Sequence, residues 1–403
     1  MDERSQETLH RVEQNDATLT TLMIGTILTR ANGGEDEVGA FSSRHGGDFS
    51  QLGAFIGQNT NLTMLDIALV EYVDEAFDVT TISEFFEGIR RNTSIHKLRL
   101  TSCNIVTGVI HEILRVYQEN NNLTHLDIVN EAVASLQNGA DQVIANMLAR
   151  CTNLKRIDLG YCNITDEQLL PMVEAARGHI SLEELRLDEN QIGNAGCDAL
   201  ATLLKQPNCN LRRLELSGNI IGNEGATALA NGLTNNTKLR VLYLDNNLID
   251  PSVEGAFLKL LCNKSSINKI YSSNHTLQHL SLSFDPCIAQ LDDLLMFNKL
   301  PGGPFPRVTN ESHVAIFKIV FHNSNWDMEP LFEWNTEGEG ERDIKALPYI
   351  ISWLDRAEET IGHGVQTNKM KLSTIYQFAK AMPLLFMPTS HIKGNVNKRK
   401  RVD

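Results

Sequence analysis

Cysteine and histidine are the residues of this chain best suited to nucleophilic or metal chemistry, and there are 7 of the first and 12 of the second. The cysteines stand at 103, 151, 162, 197, 209, 262 and 287 with no C-x-x-C pair. A metal site needs Cys and His clustered at ligand spacing. The histidines are scattered likewise; His313 and His322 share one apolar stretch and read as half-buried surface residues rather than ligands. There is no G-x-x-x-x-G-K-[ST], no H-E-x-x-H and no G-x-S-x-G. These observations predict no catalytic centre, no metal and no cofactor. What does recur is a set of charged and aromatic side chains at fixed distances from leucines. Arg156, Arg186, Arg213 and Glu215 belong to it, with Tyr161, Glu189, Tyr243 and Tyr271. Their chemistry is recognition: ion pairing, stacking and desolvated contact.

The leucines define the elements that must hold them. The frame L-x-x-L-x-L-x-x-N/C-x-I/L appears as Leu182, Leu185, Leu187, Asn190, Ile192, then Leu211, Leu214, Leu216, Asn219, Ile221, then Leu239, Leu242, Leu244, Asn247, Ile249. Leu154 to Ile164 and Ile95 to Ile105 repeat it with Cys162 and Cys103 in the Asn place. Leu123, Leu126, Ile128 and Leu62, Leu65, Ile67 are degenerate copies, and Leu19, Leu22, Ile24 is a worn first one. Ile267 and Ile270 open an eighth, with Ser272 in place of the third leucine. The starts at 62, 95, 123, 154, 182, 211, 239 and 267 give spacings of 28 to 33 residues. That is room for one strand and one helix per copy.

Alternating leucines bury on one face of a short strand. The Asn or Cys follows where the chain bends and backbone groups lose their strand partners. A small polar side chain there satisfies them from inside, and an unpaired buried group would be costly. Gly196, Ala199, Leu200, Leu203 and Gly225, Ala226, Leu229, Leu233 then recur at helical spacing. No copy buries its leucines alone; stacking closes the core.

The phrase N-x-I-G-x-x-G-x-x-A-L, at 190–200 and 219–229, resembles the ribonuclease-inhibitor type of leucine-rich repeat, over roughly residues 61–275. The resemblance implies a right-handed α/β solenoid, a curved horseshoe with parallel strands on the concave side and helices on the convex side. The expected organisation is an N-terminal cap, partly disordered, at 1–60 and a solenoid of about eight repeats at 61–288. A helical C-terminal cap follows at 289–390, then a basic disordered tail at 391–403. The frame fails after about Ser283, and residues 313–321, 344–357 and 372–385 have helical patterns. All three tryptophans (Trp326, Trp334, Trp353) fall in this last region, read as a seal on the final repeat.

In this frame the second, third, fifth, seventh and eighth positions point out of the concave face. The fifth-position column is Asp66, Arg99, Asp127, Asp158, Arg186, Glu215, Tyr243, Tyr271; the third is Met64, Lys97, His125, Arg156, Glu184, Arg213, Val241, Lys269. Mixed charge with Arg and Tyr anchors suits a protein partner. Acids would repel a phosphate backbone, and the net charge of −14 excludes a general nucleic-acid binder. Opposite signs on neighbouring strands would also help the strands pair. The partner contacts expected are Arg156, Tyr161, Arg186, Glu189, Arg213, Glu215, Tyr243 and Tyr271.

No apolar block reaches the roughly 20 residues of a membrane-spanning helix. MDERSQETLH has no apolar core, so no secretory signal is expected and the cysteines are expected as free thiols in the cytoplasm. The N-x-[ST] sequons, Asn61, Asn92, Asn122 and Asn274 among them, are therefore expected to go unused. Lys398, Arg399, Lys400 and Arg401 form a basic cluster that would serve either as a nuclear address or as a solubilising tail. The function expected is a non-catalytic protein–protein interaction scaffold, monomeric, binding neither nucleic acid nor membrane. The alternatives are a GTPase-activating protein for a nuclear-transport GTPase, which the repeat type resembles, and the recognition subunit of a ubiquitin-ligase or immune-receptor-like system.

Overall fold

The computed structural model describes residues 1–25, 38–43, 46–68, 83–101, 107–119, 121–129, 140–263, 265, 269, 272–283 and 289–299. These form two compact units, Met1–Phe257 with Thr276–Cys287, and Leu258–His275 with Ile288–Asp403. The patterns at 313–321, 344–357 and 372–385, the tryptophans, His313, His322, Cys103, Cys287, Tyr271 and the basic cluster lie outside the described residues.

The first unit carries one ten-stranded sheet, and every described pairing in it is parallel. In chain order the strands are β1 (Thr21–Gly25), β2 (Val38–Phe41), β3 (Met64–Ala68), β4 (Lys97–Thr101), β5 (His125–Val129), β6 (Arg156–Asp158), β7 (Glu184–Arg186), β8 (Arg213–Glu215), β9 (Val241–Tyr243) and β10 (His279–Ser281). Helices alternate with them: α1 (Glu3–Glu13), α2 (Gly46–Ile56), α3 (Ser83–Arg91), α4 (Thr107–Glu119), α5 (Ala140–Arg150), α6 (Asp166–Ala176), α7 (Asn194–Leu204), α8 (Asn223–Gly232) and α9 (Glu254–Leu261). This is the leucine-rich α/β solenoid that the repeat frame predicts.

The second leucine of each copy forms one column. Leu22, Leu65, Leu98, Leu126, Ile157, Leu185, Leu214, Leu242 and Leu280 are in register from strand to strand. All of them are buried. Each such side chain contributes about 1.5–3 kcal/mol of hydrophobic stabilisation, and only because a neighbour covers it.

Small residues let the outer layer close. A Cβ on Gly196 would stand 2.7 Å from Ile192 Cγ2, and one on Gly225 3.1 Å from the Asn194 Cα. Between α2 and α3 the approach is closer still: a Cβ on Gly88 would fall 1.8 Å from the Gly53 carbonyl oxygen.

Both ends of the sheet depart from the even spacing. The worn copy at Leu19 is a true rung, since β1 pairs with β3 across 43 positions of sequence (Leu22 with Leu65). β2, which follows β1 in the chain, lies outside it at the sheet edge. That edge is closed by α1. The Ala40 N–H donates to Thr8 Oγ1 at 3.1 Å and the Ser42 N–H to Ser5 Oγ at 2.9 Å, so donors that would invite edge pairing are satisfied.

At the other end the eighth copy is not the one that opens at Ile267. The strand beside β9 is His279–Ser281, with Leu277, Leu280 and Leu282 buried in the leucine places. The repeat from Leu239 to Leu277 is 38 residues long, and the register follows burial rather than the even count of 28. In the column beside Val241 and Tyr243 stand His279 and Ser281, the places that the even count gave to Lys269 and Tyr271.

In the second unit, α10 (Ala289–Lys299) buries Leu291, Leu294 and Leu295. Buried Asn274 donates its N–H to Leu260 O at 2.9 Å and accepts from Asn298 Nδ2 at 3.4 Å.

Candidate protein-recognition face

The bends after β7, β8 and β9 are built by asparagine. Asn219 accepts the Ile192 N–H at 2.9 Å and donates to Leu187 O (2.9 Å), Leu216 O (3.0 Å) and Ser217 O (3.3 Å). Asn190 bridges Ile164 N–H and Leu159 O in the same way, and Asn247 bridges Ile221 N–H and Leu216 O. Where cysteine replaces asparagine, the Cys162 thiol donates to Ile128 O at 3.1 Å. Cys151, Cys197 and Cys209 are free thiols, buried like Cys162 and Cys262. Burial pushes the Cys151 thiol up to about 11 and the Cys197 thiol to about 12, which makes both poor nucleophiles. Among the described residues no group of three or more His, Cys, Asp or Glu could hold a metal ion. Asn92 and Asn274 are buried, so the fold withholds those two sequons from modification.

A second inner row precedes the strands, three residues before the first leucine, at Asn59, Asn92, Cys151, His179 and Asn236. Asn92 donates to Asn59 O at 2.8 Å and Asn236 to Leu204 O at 2.9 Å. In one copy His179 takes this place, its Nε2 2.9 Å from Cys151 O. Burial lowers the His179 pKa below that of a free imidazole, against the smaller upward pull of that hydrogen bond.

The opposite face of the sheet carries a ladder of ion pairs. Arg99 lies 3.9 Å from Asp66 and 3.4 Å from Asp127. Arg156 reaches Asp127 (3.3 Å), Asp158 (3.0 Å) and Glu184 (3.8 Å). Arg186 bridges Asp158 (3.2 Å) and Asp188 (3.5 Å); Arg213 bridges Glu184 (3.4 Å) and Glu215 (3.3 Å). Charges so interleaved hold each other's rotamers across six strands. Burial works against the Arg156 charge, but Asp127, Glu184 and Asp158 outweigh it and raise its pKa. Burial raises the Asp66 carboxyl, offset in part by Arg99. Burial also lowers His125, with Lys97 adding to the effect. The ladder ends in a stack: the Arg213 guanidinium sits 4.7 Å from the Tyr243 ring centroid, and that ring lies 4.8 Å from the His279 ring.

The expected contact residues therefore divide. Arg156, Arg186, Arg213 and Tyr243 stand together on this face, each half-buried. Glu215 is buried, its carboxylate held by Arg213 and by Ser217 Oγ at 2.7 Å. Tyr161 and Glu189 are exposed and sit one step further on, at the eighth position of their copies. Both adopt left-handed backbone, φ 59° and 53°, as do Gly218 and Asn246 at the same position. Their N–H groups are directed at the next repeat: Tyr161 to Asp188 O at 3.0 Å and Glu189 to Ser217 O at 2.8 Å. Tyr271 lies outside the described residues. His279 was not anticipated; the phrase T-L-Q-H-L-S-L, at 276–282, carried the signal that the even spacing hid.

Comparison with known proteins agrees with this architecture. A family model described as leucine-rich repeat matches residues 150–167, 178–201 and 208–230. Ribonuclease inhibitor of Sus scrofa is 29% identical over 256 residues, covering 58% of this chain and 53% of that protein. NACHT, LRR and PYD domains-containing protein 5 of Mus musculus is 28% identical over 155 residues, 38% of this chain and 13% of that protein. The corresponding protein 3 of Bos taurus is 26% identical over 208 residues, 51% and 19%. The chain thus spans a small part of the NACHT proteins and about half of the inhibitor. Repeat frame, parallel rungs and these matches converge on one conclusion: this chain is built of leucine-rich repeats similar to those of ribonuclease inhibitor.

Proposed function

We propose that the protein is a non-catalytic scaffold that takes a protein partner on the polar face of β3–β9 and its adjoining turns. The observation that carries this is the ion-pair ladder with its Arg213–Tyr243–His279 end. Side chains already held in place lose little freedom on binding, which is the main cost that preorganisation removes. Alternating carboxylates and guanidinium groups favour a protein surface of mixed charge over a polyanion. Tyr161, 49% exposed on a backbone that aromatic residues seldom adopt, is an aromatic contact held out from the fold. A cytoplasmic location is part of the same proposal; among the described residues no helix is long and apolar enough to cross a membrane.

The test compares affinity capture by the wild-type chain with capture by Tyr161→Gly combined with Tyr243→Ala. Glycine removes the ring while easing the left-handed strain by roughly 1 kcal/mol, so lost binding would not reflect lost folding. Partners retained by the wild type should disappear with circular dichroism unchanged. Full retention by the double variant would place the binding surface elsewhere. A stimulated GTP-hydrolysis assay checks the GTPase-activating alternative, which no rate increase would remove.

A further inference from the structure

The turns on the two sides of the strands carry opposite charge. In four successive copies the stretches after the strand, 159–167, 187–195, 216–224 and 244–254, contain eight carboxylates and no Lys, Arg or His. The stretches leading into the same strands, 151–155, 177–183, 205–212 and 234–240, bring exposed Lys155, Arg212, Lys238 and Arg240, with Glu183 their one acid. Asp166, Glu167, Glu224 and Glu254 stand in the first turns of α6, α8 and α9, where the helix dipole favours them. Asp188, Glu189 and Asp245 stand at the strand ends, where no helix terminus accounts for them.

The acidic rim also exposes apolar side chains. The tenth position of the frame holds Asn163 and Gln191 in two copies and Ile220 and Leu248 in the next two. Ile220 is 54% exposed and Leu248 70%. Their turns adjoin, because Gly222 bridges Leu248 and the Leu248 N–H donates to Ile221 O at 2.9 Å. The core does not need them, since Ile221 is the residue buried there. Paired aliphatics in water, framed by charge of one sign, mark a contact surface.

We infer that this strand-end rim of β6–β9 docks a cationic amphipathic segment of a partner protein, its apolar side chains seated on Ile220 and Leu248 and its Lys or Arg among the carboxylates. The inference rests on the proposed scaffold function and assigns the partner its chemistry. The probe is a labelled synthetic helical peptide of Lys and Leu, with its Glu/Leu counterpart, titrated into the full chain by fluorescence anisotropy. The Lys/Leu peptide should bind about tenfold or more tightly than the Glu/Leu peptide, and added salt should weaken it. Ile220→Asn with Leu248→Gln, residue types the neighbouring copies carry at this position, should weaken binding about tenfold or more. Equal binding of the two peptides, or wild-type affinity in the double variant, overturns the inference. If Arg213→Ala with Tyr243→Ala abolishes binding while the rim variant does not, the rim is overturned and the broader face stands. A chain that self-associates, and becomes monomeric with the rim variant in sedimentation, also overturns it, because the occupant is then a second copy.

Discussion

Replacing Asn219 by alanine tests the account of how one copy is joined to the next. Asn219 is 5% exposed and makes four hydrogen bonds to backbone groups. Two of the carbonyls it serves keep other donors: Leu216 O retains Asn247 Nδ2 at 2.9 Å, and Ser217 O retains the Glu189 N–H at 2.8 Å. The Ile192 N–H and Leu187 O lose the partner that the asparagine provides. An orphaned buried backbone group costs about 1–3 kcal/mol, so orphaning two should cost roughly 2–6 kcal/mol. Asn247, less buried, should cost less. Equilibrium urea unfolding followed by circular dichroism gives the loss as a shift in midpoint at constant slope. Asn219→Asp separates the two halves of the argument, since it keeps an acceptor for Ile192 and turns oxygen toward the carbonyls. A loss below about 1 kcal/mol for alanine, or an Asp variant as stable as wild type, would refute the bridging role.

Two further predictions concern packing and pH. Gly88→Ala should destabilise by about 1–3 kcal/mol or more, because its Cβ would overlap the Gly53 carbonyl at 1.8 Å; helix propensity alone predicts a gain of about 1 kcal/mol, so the sign of the urea shift decides. His179 has a folded pKa below its unfolded value, so its contribution is complete above about pH 6.5 and is lost as pH falls from there through the folded pKa. His179→Asn, which copies Asn92 and Asn236, should flatten the decline in urea midpoint between neutral and mildly acid pH; parallel curves for the two proteins would contradict this.

The chain's own order of residues determined the rungs wherever the frame was intact. From Leu62 to Leu244 the alternation of leucines predicts which side chains bury, and Leu185, Leu214 and Leu242 do stand in register. The asparagine bend was legible for the same reason: an interior turn has few ways to satisfy its backbone, and a side-chain amide is the compact one. Local periodicity, however, says nothing about how far the chain travels between rungs. The 38-residue step to Leu277 and the placing of β2 outside β1 were settled by which leucines found cover and which edge donors found Thr8 and Ser5. The recognition face divides in the same manner. Residue types marked Arg156, Arg186 and Arg213 as outward-pointing, because that follows from strand alternation alone. Only the stacked copies decided that these arginines pair with carboxylates of neighbouring strands, that Glu215 is enclosed, and that Ile220 and Leu248 are left in water. Those outcomes depend on contacts between residues about 28 positions apart, which come into being when the repeats pile up.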